Sequence, residues 1–196
     1  MGIQQRLYYL IIILVMTGLF FSSCKTSKKI SKAKTSADAK APEISVEEDF
    51  DAGKEREKNI QNKYAELLFV PDEVISDLSL YSFVEEWCGV PYKYAGKSKQ
   101  GVDCSGFSSI LYREVYHKTL TGPSGNIYSQ CIPLSKEELK EGDLVFFKIG
   151  QDKISHVGIY LQNNKFVHST TKKGVMINDL DEPYYNKYFY KAGRLK

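Results

Sequence analysis

The sequence predicts an α+β domain, with helices first and an antiparallel sheet after them. Three observations carry that prediction. Two stretches with apolar residues at helical spacing, 77–87 and 104–116, come before every strand-like run. Short runs rich in β-branched and aromatic residues then follow closely from Leu144 onward. Two of them, "HVGIYL" and "KFVHST", flank Asn163-Asn164, a polar turn that would make them a hairpin.

At the N-terminus, Arg6 precedes an apolar run from Leu7 to Phe21, interrupted only by Thr17 and Gly18. The run has the length of a signal-peptide core and falls short of the roughly 18–20 residues that a spanning helix needs. It ends in Ser22-Ser23-Cys24 and so resembles a bacterial lipoprotein signal, although Phe21 departs from the usual aliphatic residue there. The resemblance implies that residues 1–23 are removed and that Cys24 becomes the lipidated first residue. An uncleaved short anchor is the alternative, and either one exports the chain and ties it to a membrane. Lys25 supplies no acidic retention signal, which points to the periplasmic face of an outer membrane.

Charge is unevenly spread. Residues 25–42 carry six lysines against Asp38 alone, and residues 43–58 carry seven acids against three bases. Without these blocks and Arg6 the body is close to neutral, which excludes a nucleic-acid groove as its main function. Residues 24–70 therefore read as a lipidated cysteine, a flexible tether and a short charged helix. That helix is expected over Lys54 to Leu68, with Ile60, Tyr64, Leu67 and Leu68 at helical spacing and Pro71 ending it. The domain is expected to occupy 71–196.

Within it, the 77–87 stretch places Leu78, Tyr81, Phe83, Val84 and Trp87 mostly on one face behind Ser76 as the cap. Residues 88–103 are loop, punctuated by Gly89, Pro91, Gly96 and Gly101. A second helix begins at Cys104, with Phe107, Ile110, Leu111 and Val115 as its apolar positions, and Gly122-Pro123 stops it. "LVFFKI" (144–149), the hairpin, "GVMIND" and "YYNKYFYKAGRL" supply the strands.

Cys104 thus sits in the first turn of a helix capped by Asp103 or its loop. Free backbone N–H groups and the positive end of the helix dipole favour a thiolate there. Of the three histidines, His117 lies at the far end of the same helix, roughly 20 Å away at 1.5 Å per residue, and is excluded as a base. His156 and His168 lie twelve residues apart on the two arms of the hairpin. One imidazole can face Cys104 while the other holds its far nitrogen, the arrangement of nucleophile, base and orienting group. Cys88 and Cys131 have no motif around them and read as ordinary buried thiols, with a disulfide between them as the alternative in an exported chain. Zinc ligation by Cys104, His156 and His168 would need other spacing and a fourth ligand. No metal or cofactor is expected.

The blocks "FVEEWCGVPYKYAGKSKQGVDCSGF", "EGDLVFF", "HVGIYL" and "FVHST", in that order, resemble the signature blocks of the NlpC family of bacterial cell-wall cysteine peptidases. The resemblance covers nearly all of 76–196. It implies a minimal papain-like core, with helices packed on a small antiparallel barrel-like β-sheet. It also implies hydrolysis of amide bonds in peptidoglycan stem peptides, typically those involving D-glutamate or diaminopimelate. Cys104 matches the nucleophile, His156 the general base and His168 the polar third residue. Tyr94 matches a tyrosine beside the oxyanion site, and Asp103 and Ser105 match positions lining the substrate's free amino group. Ala95 stands where the family often has glycine, which bears on the geometry of that loop. The implied enzyme is a monomer of the cell envelope that acts on wall peptides. A non-catalytic wall-binding lipoprotein, and an amidase or acyltransferase on another substrate, are the competing readings.

Overall fold

The computed structural model describes residues 46–196, with side chains described from Asp51 onward. The expected signal segment 1–23, Cys24 and the lysine-rich tether up to residue 45 lie outside the described residues. The elements are α1 (Val46–Leu68), α2 (Leu78–Trp87), β1 (Lys97–Ser98), β2 (Gly101–Val102), α3 (Cys104–Val115), α4 (Ser124–Ser129) and β3 (Cys131–Leu134). There follow β4 (Leu144–Phe147), β5 (His156–Tyr160), β6 (Lys165–Thr170), β7 (Gly174–Asp179), α5 (Pro183–Tyr188) and β8 (Phe189–Leu195). The fold is α+β, as expected. Its main sheet is antiparallel throughout in the order β3-β8-β4-β5-β6-β7, with β3 and β7 as open edges. Among the described residues this sheet does not close into a barrel.

Strand alternation explains why "LVFF" reads as an unbroken apolar run. Leu144 and Phe146 join the core under the helices, with Phe107, Leu111, Val157 and Ile159. Val145 and Phe147 point to the opposite face, where Tyr160, Phe166, Leu180 and Tyr185 form a second cluster. Both faces of β4 are covered, so neither set of positions can be polar.

The β5–β6 hairpin takes its turn from its loop residues and its register from a bulge: the Leu161 N–H donates to the Lys165 carbonyl at 2.9 Å and the Lys165 N–H to the Gln162 carbonyl at 2.8 Å, so Leu161 and Gln162 together oppose Lys165. Asn163 and Asn164 both adopt positive φ, 48° and 60°, the backbone demanded by a two-residue hairpin loop of the twist-matched kind. Register pairs Ile159 with Val167 and Tyr160 with Phe166. Continued down the ladder, it puts His168 opposite Gly158, two residues from His156 on the same face. A Cβ on Gly158 would lie 2.7 Å from the Phe166 ring, 3.0 Å from the Val167 oxygen and 3.2 Å from His168 Cβ. Only glycine leaves room there for the ring of His168.

Several elements differ from the sequence-based expectation. The first helix starts at Val46 rather than Lys54, so 46–50 are not tether. Its Ile60, Tyr64, Ala65 and Leu68 belong to the main core, and the folded unit therefore begins before the expected boundary at Pro71. Helix α2 is capped by Asp77, whose carboxylate accepts from the Leu80 N–H at 3.0 Å, and not by Ser76. Helix α4 and strand β3 fall in a stretch read as irregular. The C-terminal run expected as one strand divides: Pro183 opens the short helix α5, and the chain then returns as β8 between β3 and β4.

Candidate active site

Asp103 fixes the position of Cys104. Its Oδ1 accepts from the Gly106 N–H at 2.7 Å and from the Ser105 hydroxyl at 2.9 Å, capping α3. Its Oδ2 accepts from the Ala95 N–H at 2.8 Å, tying the 92–96 loop to the helix start. Ala95 is held at φ 55°, a left-handed conformation that glycine adopts without strain, and this gives the family's preference at that position a physical cause. A Cβ on Gly106 would approach the Gly96 carbonyl oxygen to 2.4 Å, so the loop and the first turn of α3 can pack this closely only with glycine there.

The two histidines meet on neighbouring strands as expected, brought to one face by the bulge at Leu161-Gln162. His156 Nε2 lies 2.6 Å from His168 Nδ1, and His168 Nε2 lies 2.9 Å from Asn178 Oδ1 on β7. Asn178 Nδ2 in turn donates to both oxygens of Glu182, at 2.9 and 3.0 Å. His168 is fully buried against Phe166 and Tyr185, with ring centroids 4.5 and 5.1 Å away. His156 is partly open at the start of β5.

Burial dominates the electrostatics. It pushes the Cys104 thiol up to about 11, against the lowering effect of the Val157 N–H and helped by the Asp103 charge. The N–H groups of Ser105 and Cys104 itself also face the sulfur and lower its pKa. Burial likewise pushes His156 well below the usual histidine range, and the adjacent His168 adds to this. His168 is lowered by burial too, partly offset by Asn178 and Glu182. Burial thus favours the neutral thiol and the neutral imidazoles. The helix-end donors are present as expected and lower the thiol's pKa, but desolvation is the larger effect and opposes the thiolate.

A cleft of about 760 Å³ opens over Cys104, walled by the 92–97 loop, the first half of α3 and the 119–124 loop. Asp103 and Ser105 both line it, but both Asp103 oxygens already serve the protein's own donors. Tyr94 also lines it, yet 85% of its surface is exposed, which does not suit a fixed hydroxyl beside a reacting carbonyl. Tyr92 in the same loop is more firmly held. It is held by a bridge to Val102 and is half-buried, and burial pushes its phenol up, as a thiolate at Cys104 would do further. Both tyrosines lie in "PYKYAG" two residues apart, and nothing in that string says which one the Val102 bridge pins. Asn178 and Glu182 were missed altogether; the only trace was a polar pair four residues apart.

The other candidates fall away. His117 is exposed beyond the end of α3 with φ 54°. Cys131 is buried as expected, whereas Cys88 is exposed, and both are free thiols rather than a disulfide. Among the described residues no cluster of histidine, cysteine or carboxylate side chains could hold a metal ion. None of the described helices is long and apolar enough to cross a membrane.

Comparison with known proteins identifies the family. Residues 89–194 match the NlpC/P60 family. The chain is 40% identical over 125 residues to an Escherichia coli (strain K12) protein named "Probable endopeptidase NlpC", covering 63% of this chain and 81% of that one. It is 39% identical over 110 residues to the "Murein DD-endopeptidase MepS/Murein LD-carboxypeptidase" of the same strain, covering 56% and 58%. Among solved structures, an NlpC/P60 family protein from Bacillus cereus superposes with a TM-score of 0.57 at 31% identity, over 61% of this chain and 40% of that one.

Proposed function

Since this chain belongs to the NlpC/P60 family, we propose that it is a peptidoglycan endopeptidase in which Cys104 is the nucleophile and His156 the general base. The observation that carries the reading is the 2.6 Å contact between His156 Nε2 and His168 Nδ1 behind a cysteine at a helix start. That contact occupies Nε2 and leaves Nδ1 of His156 for the thiol.

The reaction starts from a neutral pair. His156 Nδ1 takes the proton from Cys104 Sγ as the sulfur attacks the carbonyl carbon of a stem-peptide amide. The N–H of Cys104 and the hydroxyl of Tyr92 receive the developing oxyanion. The imidazolium then protonates the leaving nitrogen, the C–N bond breaks, and a thioester to Cys104 remains. Water, losing a proton to His156, attacks the thioester; the C–S bond breaks and the thiol is restored. His168 holds the base in its productive orientation. The chemistry requires no metal or cofactor.

Ser105 and Asp103 border the end of the cleft where a free amino group of the substrate would lie. Cys24 is the lipid attachment site after removal of residues 1–23, and the enzyme works as a monomer on the periplasmic face of the outer membrane. Residues 24–45 give it reach toward the wall. Purified sacculi digested with wild-type chain and with Cys104→Ala, their products resolved by mass spectrometry, test this reading. Wild type releases peptides with new amino and carboxyl ends, and the variant releases none. Products carrying the acyl group on another acceptor would make it a transferase instead.

A further inference from the structure

Behind the two histidines lies a chain of hydrogen bonds whose direction can be worked out from its far end. Carboxylate oxygens accept and, when ionised, do not donate. Both oxygens of Glu182 face Asn178 Nδ2, and Oε1 also takes the Asp179 N–H at 2.9 Å. The amide nitrogen of Asn178 is thereby fixed toward Glu182 and its oxygen toward His168 Nε2. The Tyr185 hydroxyl, 3.4 Å from the same oxygen, is a second donor that suits this orientation.

An amide oxygen can only accept, so His168 carries its proton on Nε2 and presents a bare Nδ1. The 2.6 Å contact with that Nδ1 then needs a donor, and His156 must carry its proton on Nε2. His156 Nδ1 is left as a lone pair. A reversed Asn178 amide would move every proton one place and put one on His156 Nδ1, where no base would remain. The orientation of one amide therefore decides whether the site has a base.

We propose, building on the assignment of Cys104 and His156, that Asn178 and Glu182 are positioning residues that set the tautomers of both imidazoles for catalysis. Glu182 sits at the N-cap of α5, four residues beyond Asn178 at the end of β7, so sheet and helix together hold the pair. During turnover the charge on His156 faces the lone pair of His168, with the Glu182 carboxylate beyond it. The relay thus stabilises the imidazolium without placing a carboxylate against the resting base.

The test uses the full chain labelled with ¹⁵N on histidine, read by long-range proton–nitrogen correlation, beside steady-state kinetics on soluble wall peptides. Wild type shows both rings protonated on Nε2. Asn178→Leu, close in size but unable to accept or donate, loses the fixed His168 tautomer. Its kcat falls by roughly 10- to 100-fold with KM nearly unchanged, the scale of loss seen when the outer hydrogen-bond partner of a metal-bound histidine is removed. Asn178→Asp combined with Glu182→Gln keeps an acceptor on His168 Nε2 and a donor behind it, with the Gln oxygen left for the Asp179 N–H, and recovers most of kcat. Glu182→Gln, which lets the amide turn over, shows both tautomers at His168 and an intermediate kcat. Unchanged tautomers and kcat in Asn178→Leu overturn the proposal, as does an Asn178→Asp/Glu182→Gln chain no better than Asn178→Leu. Hydrolysis by Cys104→Ala would instead overturn the nucleophile, while the ring spectra would still report on Asn178.

Discussion

Asp103 binds three donors of its own chain, and replacing it should be felt first in stability. Asp103→Ala removes the bonds to the Gly106 N–H, the Ser105 hydroxyl and the Ala95 N–H together. Loss of an Asp cap is worth about 1 kcal/mol. The bond to Ala95 adds about 1 kcal/mol more, below the roughly 1.5–3 kcal/mol usual for a charged acceptor because the loop is exposed. About 2 kcal/mol corresponds to a fall in Tm of roughly 4–8 °C for a domain of this size. Asp103→Asn keeps an oxygen for Gly106 but turns an N–H toward the Ala95 N–H, and should lose about half as much. Turnover should fall in the same order, since the frayed turn is the one that carries Cys104. Thermal unfolding followed by far-ultraviolet circular dichroism, with kcat and KM on wall peptides, measures both. An Asp103→Ala chain that melts with the wild type would refute the reasoning. So would an unchanged Tm with KM raised only for substrates bearing a free amino group, because Asp103 would then serve the substrate rather than the helix.

Tyr92→Phe should lower kcat with little effect on KM, while Tyr94→Phe should leave both unchanged in steady-state assays; the reverse pattern would restore Tyr94 to the oxyanion site. His156 and His168 are both lowered below an unfolded value near 6.5, so below that pH the unfolded chain binds more protons than the folded one. Stability is full above about pH 6.5 and declines as pH falls toward the lowered folded values, and a urea midpoint unchanged between neutral pH and about pH 5 would contradict this. Cys24→Ala should leave the precursor uncleaved, and the mature wild-type chain should carry an acyl mass at its N-terminus. A cleaved, unacylated wild type in the soluble periplasm would refute the anchor.

The register of the histidine hairpin was not legible: a bulge at Leu161-Gln162 shifts the pairing by one residue and thereby puts His168 on the face of His156. Its turn was, because Asn163-Asn164 is a local determinant. Cys104 was legible for the same reason, with its cap at the preceding residue. What depends on tertiary contact was not. Helix α1 is polar along most of its length, and only packing of Ile60, Tyr64 and Leu68 on α2 shows that it belongs to the core. Tyr92 and Tyr94 are equivalent as letters, and the bridge to Val102 separates them. The thiol's state also depends on the fold, since helix-end donors favour a thiolate while burial under the sheet opposes it. Asn178 and Glu182 look like any turn and cap until the sheet brings Asn178 under His168.

The reaction assigned to Cys104 passes through a thioester, and intact-protein mass spectrometry of a single turnover on wall peptide observes that species directly. The full chain, mixed with excess peptide and quenched in acid, should show the mass of the acyl fragment added, with peptide mapping placing it on Cys104. His156→Ala should accumulate no adduct and release no product. Product release by wild type with no adduct at any quench time, together with equal release by Cys104→Ala, would contradict the assignment of Cys104 as the nucleophile.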